Sequence, residues 1–247
     1  MSESTTIPNQ PEKKEEDDDG AVFWWWFRRI GIVLLLLLLI WAIVLALFPE
    51  YRQKLFYGSV RVETQQWGSS VVYPIEGNDA AGKHAAFDVA VLPKDLTWVR
   101  KSATALTLQG QELPEAEIAN RVFTAELRDG LGRSKALVAV GVASQEGERQ
   151  AETERASQRA VKAAGWLSTV AKPDVPIWTL NLGQFTGGCE AASEANDTGW
   201  QRPLIIVGVR AQDEGANLRE AFADAISGKS NLPSQSCYTN FDLAKFR

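Results

Sequence analysis

Arg159 stands out among the charged residues of this 247-residue chain because its helical neighbourhood offers it no acidic partner. Arg155 lies four residues before Arg159 and Lys162 three residues after it, with no Asp or Glu at either spacing. A structural arginine on a helix gains from a carboxylate one turn away, as Arg155 can from Glu152. Guanidinium groups bind carboxylates through paired hydrogen bonds. Arg159 therefore predicts either a carboxylate from elsewhere in the fold or a bound anionic ligand.

The elements that would position Arg159 are a strand and the helix after it. Residues 135–142 (KALVAVGV) form an apolar, β-branched run, which is typical of a buried strand. Ser144 follows as a candidate helix N-cap, and from Glu148 the chain is rich in Ala, Glu, Arg and Gln, which favour helix. Helical spacing gives this helix a face of small residues: Ala156, Ala160, Ala163, Ala164 and Leu167. Such a face could lie close on a sheet.

Residues 141–167 resemble the central motif of the OmpA-like peptidoglycan-binding domain. That motif has two glycines around an Asp, then an Arg-Ala pair and an aromatic-Leu pair. Laid on this chain without a gap, it matches Gly141, Gly147, Arg159-Ala160 and Trp166-Leu167. Ser144 stands where the family has its ligand-binding Asp, and Glu152 where it has Asn. The resemblance implies an α+β fold in β-α-β-α-β-β order, with helices packed on one face of a mixed sheet.

The resemblance also implies a site for the peptide stem of peptidoglycan, where the family's Asp and Arg hold the two charged ends of a diaminopimelate residue. Arg159 matches that Arg. Ser144 cannot replace the charge of the Asp, because a neutral hydroxyl makes weaker hydrogen bonds than a carboxylate, and it could simply cap the helix. Glu146 is near enough in sequence to supply the carboxylate from a shifted position. Ser144, Glu146 and Arg159 are therefore the hypothetical stem-binding residues.

Residues 30–48 (IGIVLLLLLLIWAIVLALF) predict a membrane-spanning helix. These 19 residues carry no charge, and at 1.5 Å per residue they reach about 28 Å, close to the hydrocarbon thickness of a bilayer. Aromatic residues flank the run on both sides: Trp24, Trp25 and Trp26 before it, and Tyr51 and Tyr57 after it. A cleaved signal peptide is the alternative, but the run is too long and the region before it too long and too acidic. We expect a retained anchor in the lipid bilayer.

The orientation of this anchor rests on a nearly even count of basic residues on its two sides. Arg28 and Arg29 lie at its boundary and favour a cytoplasmic N-terminus. The resemblance points the same way, since peptidoglycan lies outside the inner membrane. We expect a single-pass inner-membrane protein of the bacterial cell envelope with its C-terminal domain in the periplasm.

Composition and the resemblance together divide the chain into four parts. They are a disordered acidic tail (1–22), the transmembrane helix (23–48), a juxtamembrane β-rich segment (49–103) and the OmpA-like domain with a C-terminal helix (104–247). The first strand of the OmpA-like sheet is either 85–92 or 103–109. Further elements are expected as helices over 113–130 and 213–227 and as strands over 175–182 and 204–209.

Several functional classes are disfavoured by the residues present. A net charge of −5 argues against nucleic-acid binding. Cys189 and Cys237 lack the spacing of a zinc site, which leaves a disulfide between them or two buried thiols. Neither a phosphate loop nor a G-x-S-x-G elbow is present, and His84, the only histidine, has no serine or cysteine motif beside it. We expect no enzyme and no cofactor.

Two functions from different classes remain. The first is a tether whose periplasmic domain contacts peptidoglycan or links a membrane complex to the cell wall. The second is a non-enzymatic assembly subunit that uses a degenerate OmpA-like domain for protein contacts beside an inner-membrane partner. They differ in whether the site around Arg159 is open and lined by donors or filled by the protein's own residues.

Overall fold

The structure is a computed structural model that describes residues 30–37, 39, 63–186, 198–227 and 232–247. The chain forms two compact units, Met1–Gly58 and Ser59–Arg247. In the first unit, residues 30–37 and 39 are helical and exposed. No helix within the described stretches has both the length and the apolar character needed to cross a bilayer. Most of the predicted span (30–48) and the predicted tail (1–22) lie outside the described residues.

The described residues of the second unit contain ten strands: β1 (Gln65–Trp67), β2 (Ser70–Asn78), β3 (His84–Val91), β4 (Leu96–Trp98), β5 (Leu106–Leu108), β6 (Gln111–Glu112), β7 (Ala136–Ala143), β8 (Ile177–Gln184), β9 (Ile205–Gln212) and β10 (Asp242–Lys245). Seven of them form a mixed sheet with the order β1-β2-β3-β9-β7-β8-β10. In this sheet only β7 and β8 are parallel, and every other neighbouring pair is antiparallel. The other three strands are short and form a second sheet with the order β4-β5-β6.

Within the described residues, four helices cover the two faces of the large sheet. They are α1 (Glu115–Val122), α2 (Ala125–Leu131), α3 (Arg149–Val170) and α4 (Leu218–Ile226). Because side chains alternate along a strand, β7 presents Leu137 and Ala139 to the core shared with α1, α2 and α3. Its Val138 and Val140 belong to the core shared with α4. The helix predicted over 213–227 therefore covers the opposite face, whereas the resemblance implies helices on one face.

The mixed α+β class is confirmed by this architecture, and the strands expected over 135–142, 175–182 and 204–209 correspond to β7, β8 and β9. Of the two candidates for the first strand, residues 85–92 correspond to β3, which pairs with β9 in the large sheet. Residues 103–109 contain β5, which belongs to the small sheet. Strands β1 to β3 thus share one sheet with β7 to β9, so the sheet crosses the division expected at 103–104. Residues 103–109 intersperse Thr and Gln among apolar residues, whereas residues 85–92 carry a single polar residue, Asp88. Strand β3 is accordingly buried along most of its length, as a nearly continuous apolar run indicates.

The single helix expected over 113–130 is two helices in the structure. Thr124 ends the continuity, since its side chain accepts a hydrogen bond from the Leu127 amide and caps α2. Ile118, Val122 and Leu127 are buried, whereas Ala125 is exposed.

Candidate functional site

Helix α3 lies directly against the sheet, as its small-residue face predicts. Ala156, Ala160, Ala163, Ala164 and Leu167 are all fully buried. The closest approach is at Gly141 in β7, where a Cβ atom would lie 1.8 Å from the carbonyl oxygen of Ala156. This contact fixes α3 over the end of β7 and so determines where Arg159 can reach.

The N-terminus of α3 is capped by Glu148, so the assignment of Ser144 as the helix cap is wrong. The Glu148 carboxylate accepts hydrogen bonds from the amides of Gln150 and Ala151 at 3.0 and 2.9 Å. These hydrogen bonds lower the pKa of Glu148, since they favour its charged form. Ser144 is buried directly after β7, before the helix begins.

Arg159 is buried and donates to backbone carbonyl groups. Its Nη1 donates to Val142 O at 2.8 Å, its Nε to Ser102 O at 2.9 Å, and its Nη2 to Val99 O at 3.2 Å. The Trp98 ring lies beside the guanidinium, with 5.5 Å between the guanidinium carbon and the ring centroid. Only 1% of Arg159 is accessible to solvent. The group is therefore enclosed by the protein's own backbone and one aromatic ring.

The charge of Arg159 has no acidic partner at ion-pair distance within the described residues. Glu152 is buried two turns before Arg159 on the same helix but is bonded to Arg155, as the sequence predicts. Burial, together with the nearby charges of Arg155 and Arg202, lowers the pKa of Arg159 to about 9. The group remains cationic at neutral pH, and carbonyl dipoles take the place of a counter-ion.

The carbonyl groups of Val99 and Ser102 belong to a tight turn, residues 99–102, which we call the 99–102 loop. Ser102 N donates to Val99 O at 3.0 Å, and Val99 N donates to Ala105 O at 3.0 Å. Lys101 has a φ of 62°, a left-handed conformation that is uncommon for a residue with a side chain. Arg159 thus stabilises a compact loop that follows the small-sheet strand β4.

Glu146 faces this loop, and its carboxylate is already paired. The Nε of Arg100 lies 2.8 Å from Glu146 Oε2, and the Thr198 hydroxyl donates to Glu146 Oε1. The hydrogen bond from Thr198 and the charges of Arg100 and Arg202 lower the pKa of Glu146. Glu146 therefore holds Arg100 of the loop and forms no ion pair with Arg159.

The structure thus brings the three hypothetical stem-binding residues to one end of β7. Arg159 donates hydrogen bonds to carbonyl groups of the 99–102 loop, and Glu146 pairs with Arg100 of the same loop. Ser144 is buried on the segment between β7 and α3. Their binding to a peptidoglycan stem stays a prediction. The 99–102 loop is the part of this site that sequence reasoning missed. Its contacts to Arg159 are backbone carbonyls, which every residue type has, so no side-chain signal marks them.

The cysteine prediction falls partly outside the described residues. Cys237 is disulfide-bonded. It lies in a short 3₁₀ turn, Gln235–Cys237, and is buried. Cys189, the other cysteine of the sequence, lies outside the described part of the chain.

Among the comparisons with known proteins, only the comparison with solved structures gives a match. No protein-family model matches the sequence, and no curated protein matches it. Among solved structures, the chain is similar to the OmpA-like domain of FopA1 from Francisella tularensis subsp. tularensis SCHU S4, with a TM-score of 0.31 and 15% sequence identity. The similarity covers 59% of this chain and 85% of that one. It assigns no role to any residue here.

Proposed function

We propose that this chain is a single-pass inner-membrane protein whose periplasmic OmpA-like domain serves, without catalysis, as a contact module for partner proteins of a membrane complex. The observation that carries the proposal is the closed environment of Arg159. Three backbone carbonyls accept hydrogen bonds from its Nε, Nη1 and Nη2, and Trp98 lies beside it. A peptidoglycan stem would have to displace the 99–102 loop before it could reach the guanidinium.

The charges near Arg159 also favour protein contacts over stem binding. A stem's diaminopimelate residue carries an ammonium group, which needs a carboxylate partner. Ser144 offers none, and the Glu146 carboxylate is engaged by Arg100 and Thr198. Arg155 is likewise bonded to Glu152. A ligand would have to break one of these internal pairs to form its own.

The proposed membrane anchor rests on the composition of residues 30–48, and the proposed periplasmic location rests also on a disulfide bond. Residues 30–48 have the length and apolarity of a span, and Arg28 and Arg29 favour a cytoplasmic N-terminus. A disulfide at Cys237 is suited to an oxidising compartment such as the periplasm.

A reporter fusion tests the topology. Alkaline phosphatase, which needs an oxidising compartment to fold, is fused after Arg247, and in a parallel strain a fluorescent protein that does not mature in the periplasm is fused there. We expect phosphatase activity and no fluorescence from the fusions. The opposite pattern would place the domain in the cytoplasm and contradict the localisation.

Cell-wall contact is the second candidate, and one observation favours it. The Arg159 guanidinium has no acidic partner within ion-pair distance in the described part of the chain, so an opened 99–102 loop would expose a cation able to bind a carboxylate. The Arg100–Glu146 pair is exposed enough to be replaced without unfolding the domain, because surface ion pairs contribute about 0–1 kcal/mol.

Sedimentation with purified sacculi separates the two candidates. The full chain in mild detergent is compared with Arg100→Ala, which loosens the loop, and with Lys94→Ala, which removes an exposed cation before β4. The contact proposal expects all three proteins to stay in the supernatant. Retention that increases with Arg100→Ala but not with Lys94→Ala, and that free stem peptides compete away, would establish wall contact instead.

A further inference from the structure

The domain carries a groove of about 530 Å³ between α2 and the C-terminal end of α3. Three buried leucines, Leu131, Leu137 and Leu167, form its apolar floor. The half-buried Val170 and Val175 extend this apolar surface toward the solvent. Its volume is within the range of roughly 300–1,000 Å³ that is typical of ligand pockets.

The rim of this groove is predominantly basic. Arg128, Arg133 and Lys172 line it and are exposed, against a single acidic lining residue, Asp129. In the described part of the chain, none of the three cations lies within ion-pair distance of a carboxylate. The chain as a whole has a net charge of −5, so this local excess of positive charge does not follow from the overall composition.

The rim cations contact mainly neutral groups inside the domain, and Arg133 is also near enough to the Asp88 carboxyl to interact with its charge. Arg128 Nη2 donates to Ala119 O at 2.8 Å, and Lys172 Nζ donates to Gly132 O at 3.3 Å. The guanidinium carbon of Arg133 lies 5.9 Å from the Trp67 ring centroid. Cations at these positions also interact favourably with the negative C-terminal ends of the α2 and α3 dipoles. Their substitution could therefore lower stability without any ligand, so the experiment must measure binding directly.

We infer that this groove docks an acidic peptide segment of a partner protein, with one apolar side chain on the leucine floor and carboxylates against Arg128, Arg133 and Lys172. The inference rests on the proposed function, because it names the surface through which the domain would contact its partner. Charge complementarity identifies the occupant as anionic, and the apolar floor requires an apolar anchor.

Two other anionic occupants fit less well. Membrane-surface recognition by anionic lipids commonly uses clusters of four to eight basic residues, whereas this rim has three around a concave floor. The acidic residues 15–19 of the same chain are complementary in charge, but the proposed topology places them across the membrane. Both remain outcomes of the test.

The test measures binding of a fluorescein-labelled acidic peptide, GDELFEDLG, to the full chain in nanodiscs of zwitterionic lipid at low salt. We expect Lys172→Glu to weaken binding by about tenfold, because it reverses a rim charge. Its matched control, Lys94→Glu, makes the same charge change at an exposed site away from the groove and should alter affinity by less than about twofold.

A second pair of variants tests the floor without changing charge. Ala171→Trp fills the groove from its half-buried edge and should weaken binding by more than about tenfold. Ala116→Trp places the same side chain on the exposed face of α1 and should leave affinity unchanged. Ala171 has an extended backbone (φ −81°, ψ 152°), which accepts a tryptophan.

Four results would overturn the inference: equal effects of Lys172→Glu and Lys94→Glu, equal binding of a peptide with lysines in place of the acids, full binding by Ala171→Trp, or no binding by the wild type.

Two further results would assign the groove to another occupant. The rim would be assigned to lipid if Lys172→Glu weakened attachment to phosphatidylglycerol vesicles while peptide binding was unchanged. Higher peptide affinity after deletion of residues 1–20 would assign the groove to the chain's own tail. The four overturning results and the assignment to lipid leave the contact proposal standing, since sacculus sedimentation and the topology fusions test that proposal separately. Occupation of the groove by the tail would instead contradict the proposed topology, which places the tail across the membrane.

Discussion

Replacing Arg159 by methionine is expected to lower the free energy of unfolding by about 4 kcal/mol. Methionine fills a similar volume but cannot donate, so Val99 O, Ser102 O and Val142 O all lose their charged donor. Hydrogen bonds to charged groups are worth roughly 1.5–3 kcal/mol each, and a buried carbonyl without a donor is unfavourable. Urea unfolding of the purified full chain, followed by tryptophan fluorescence, measures the change.

Gln158→Met is the matched control for this substitution. Gln158 is the preceding residue of α3, is exposed, and bonds only weakly to Glu154 at 3.3 Å. Its replacement should change stability by less than about 0.5 kcal/mol. If Arg159→Met proves as mild as Gln158→Met, the guanidinium is in exchange with solvent. The 99–102 loop would then be open for much of the time, and wall contact would become the better proposal.

Replacing Gly141 by alanine should lower the free energy of unfolding by about 3 kcal/mol. The new methyl group would lie 1.8 Å from Ala156 O, which is backbone and cannot rotate away. Helix α3 would have to move off β7 and lose part of its buried alanine face. Thermal and urea unfolding of the variant and the wild type measure the cost.

Gly165→Ala is the matched control, because it makes the same chemical change inside α3. Apart from its chain neighbours and the backbone of its own helix, no atom lies within 4 Å of a Cβ at position 165, and alanine favours helix over glycine. This variant should therefore gain about 0.5–1 kcal/mol. Equal effects of the two substitutions would show that α3 can slide on the sheet and that the approach at Gly141 does not restrain it.

The strand and helix that carry Arg159 could be predicted because their signals are local. The apolar run at 135–142 and the face formed by Ala156, Ala160, Ala163, Ala164 and Leu167 record burial in their own side chains, and the structure confirms both. The helix expected over 213–227 is present as α4, whose buried residues are Leu218, Ala221, Phe222, Ala225 and Ile226. The periodicity of apolar residues shows which face of a helix or strand is buried, so it is sufficient to predict elements whose signals are local.

The surroundings of Arg159 could not be predicted because its partners are distant in sequence and belong to the backbone. Ser102 and Val99 precede Arg159 by 57 and 60 residues. The absence of a nearby acid correctly indicates that Arg159 finds its acceptors elsewhere, but it cannot distinguish a carbonyl from a ligand. The helix cap was missed for a related reason, since Ser144 and Glu148 both have suitable oxygens and only backbone geometry selects Glu148.

The position of β9 has a consequence for the synthesis of the protein. This strand lies between β3 and β7 in the sheet, yet it is among the last to leave the ribosome. Until residues 205–212 arrive, β3 and β7 have no partner on their facing sides, and two hydrophobic strand edges stay unpaired. A nascent chain that stalls before residue 205 is thus a pair of unfinished, aggregation-prone half-sheets and not a smaller folded domain.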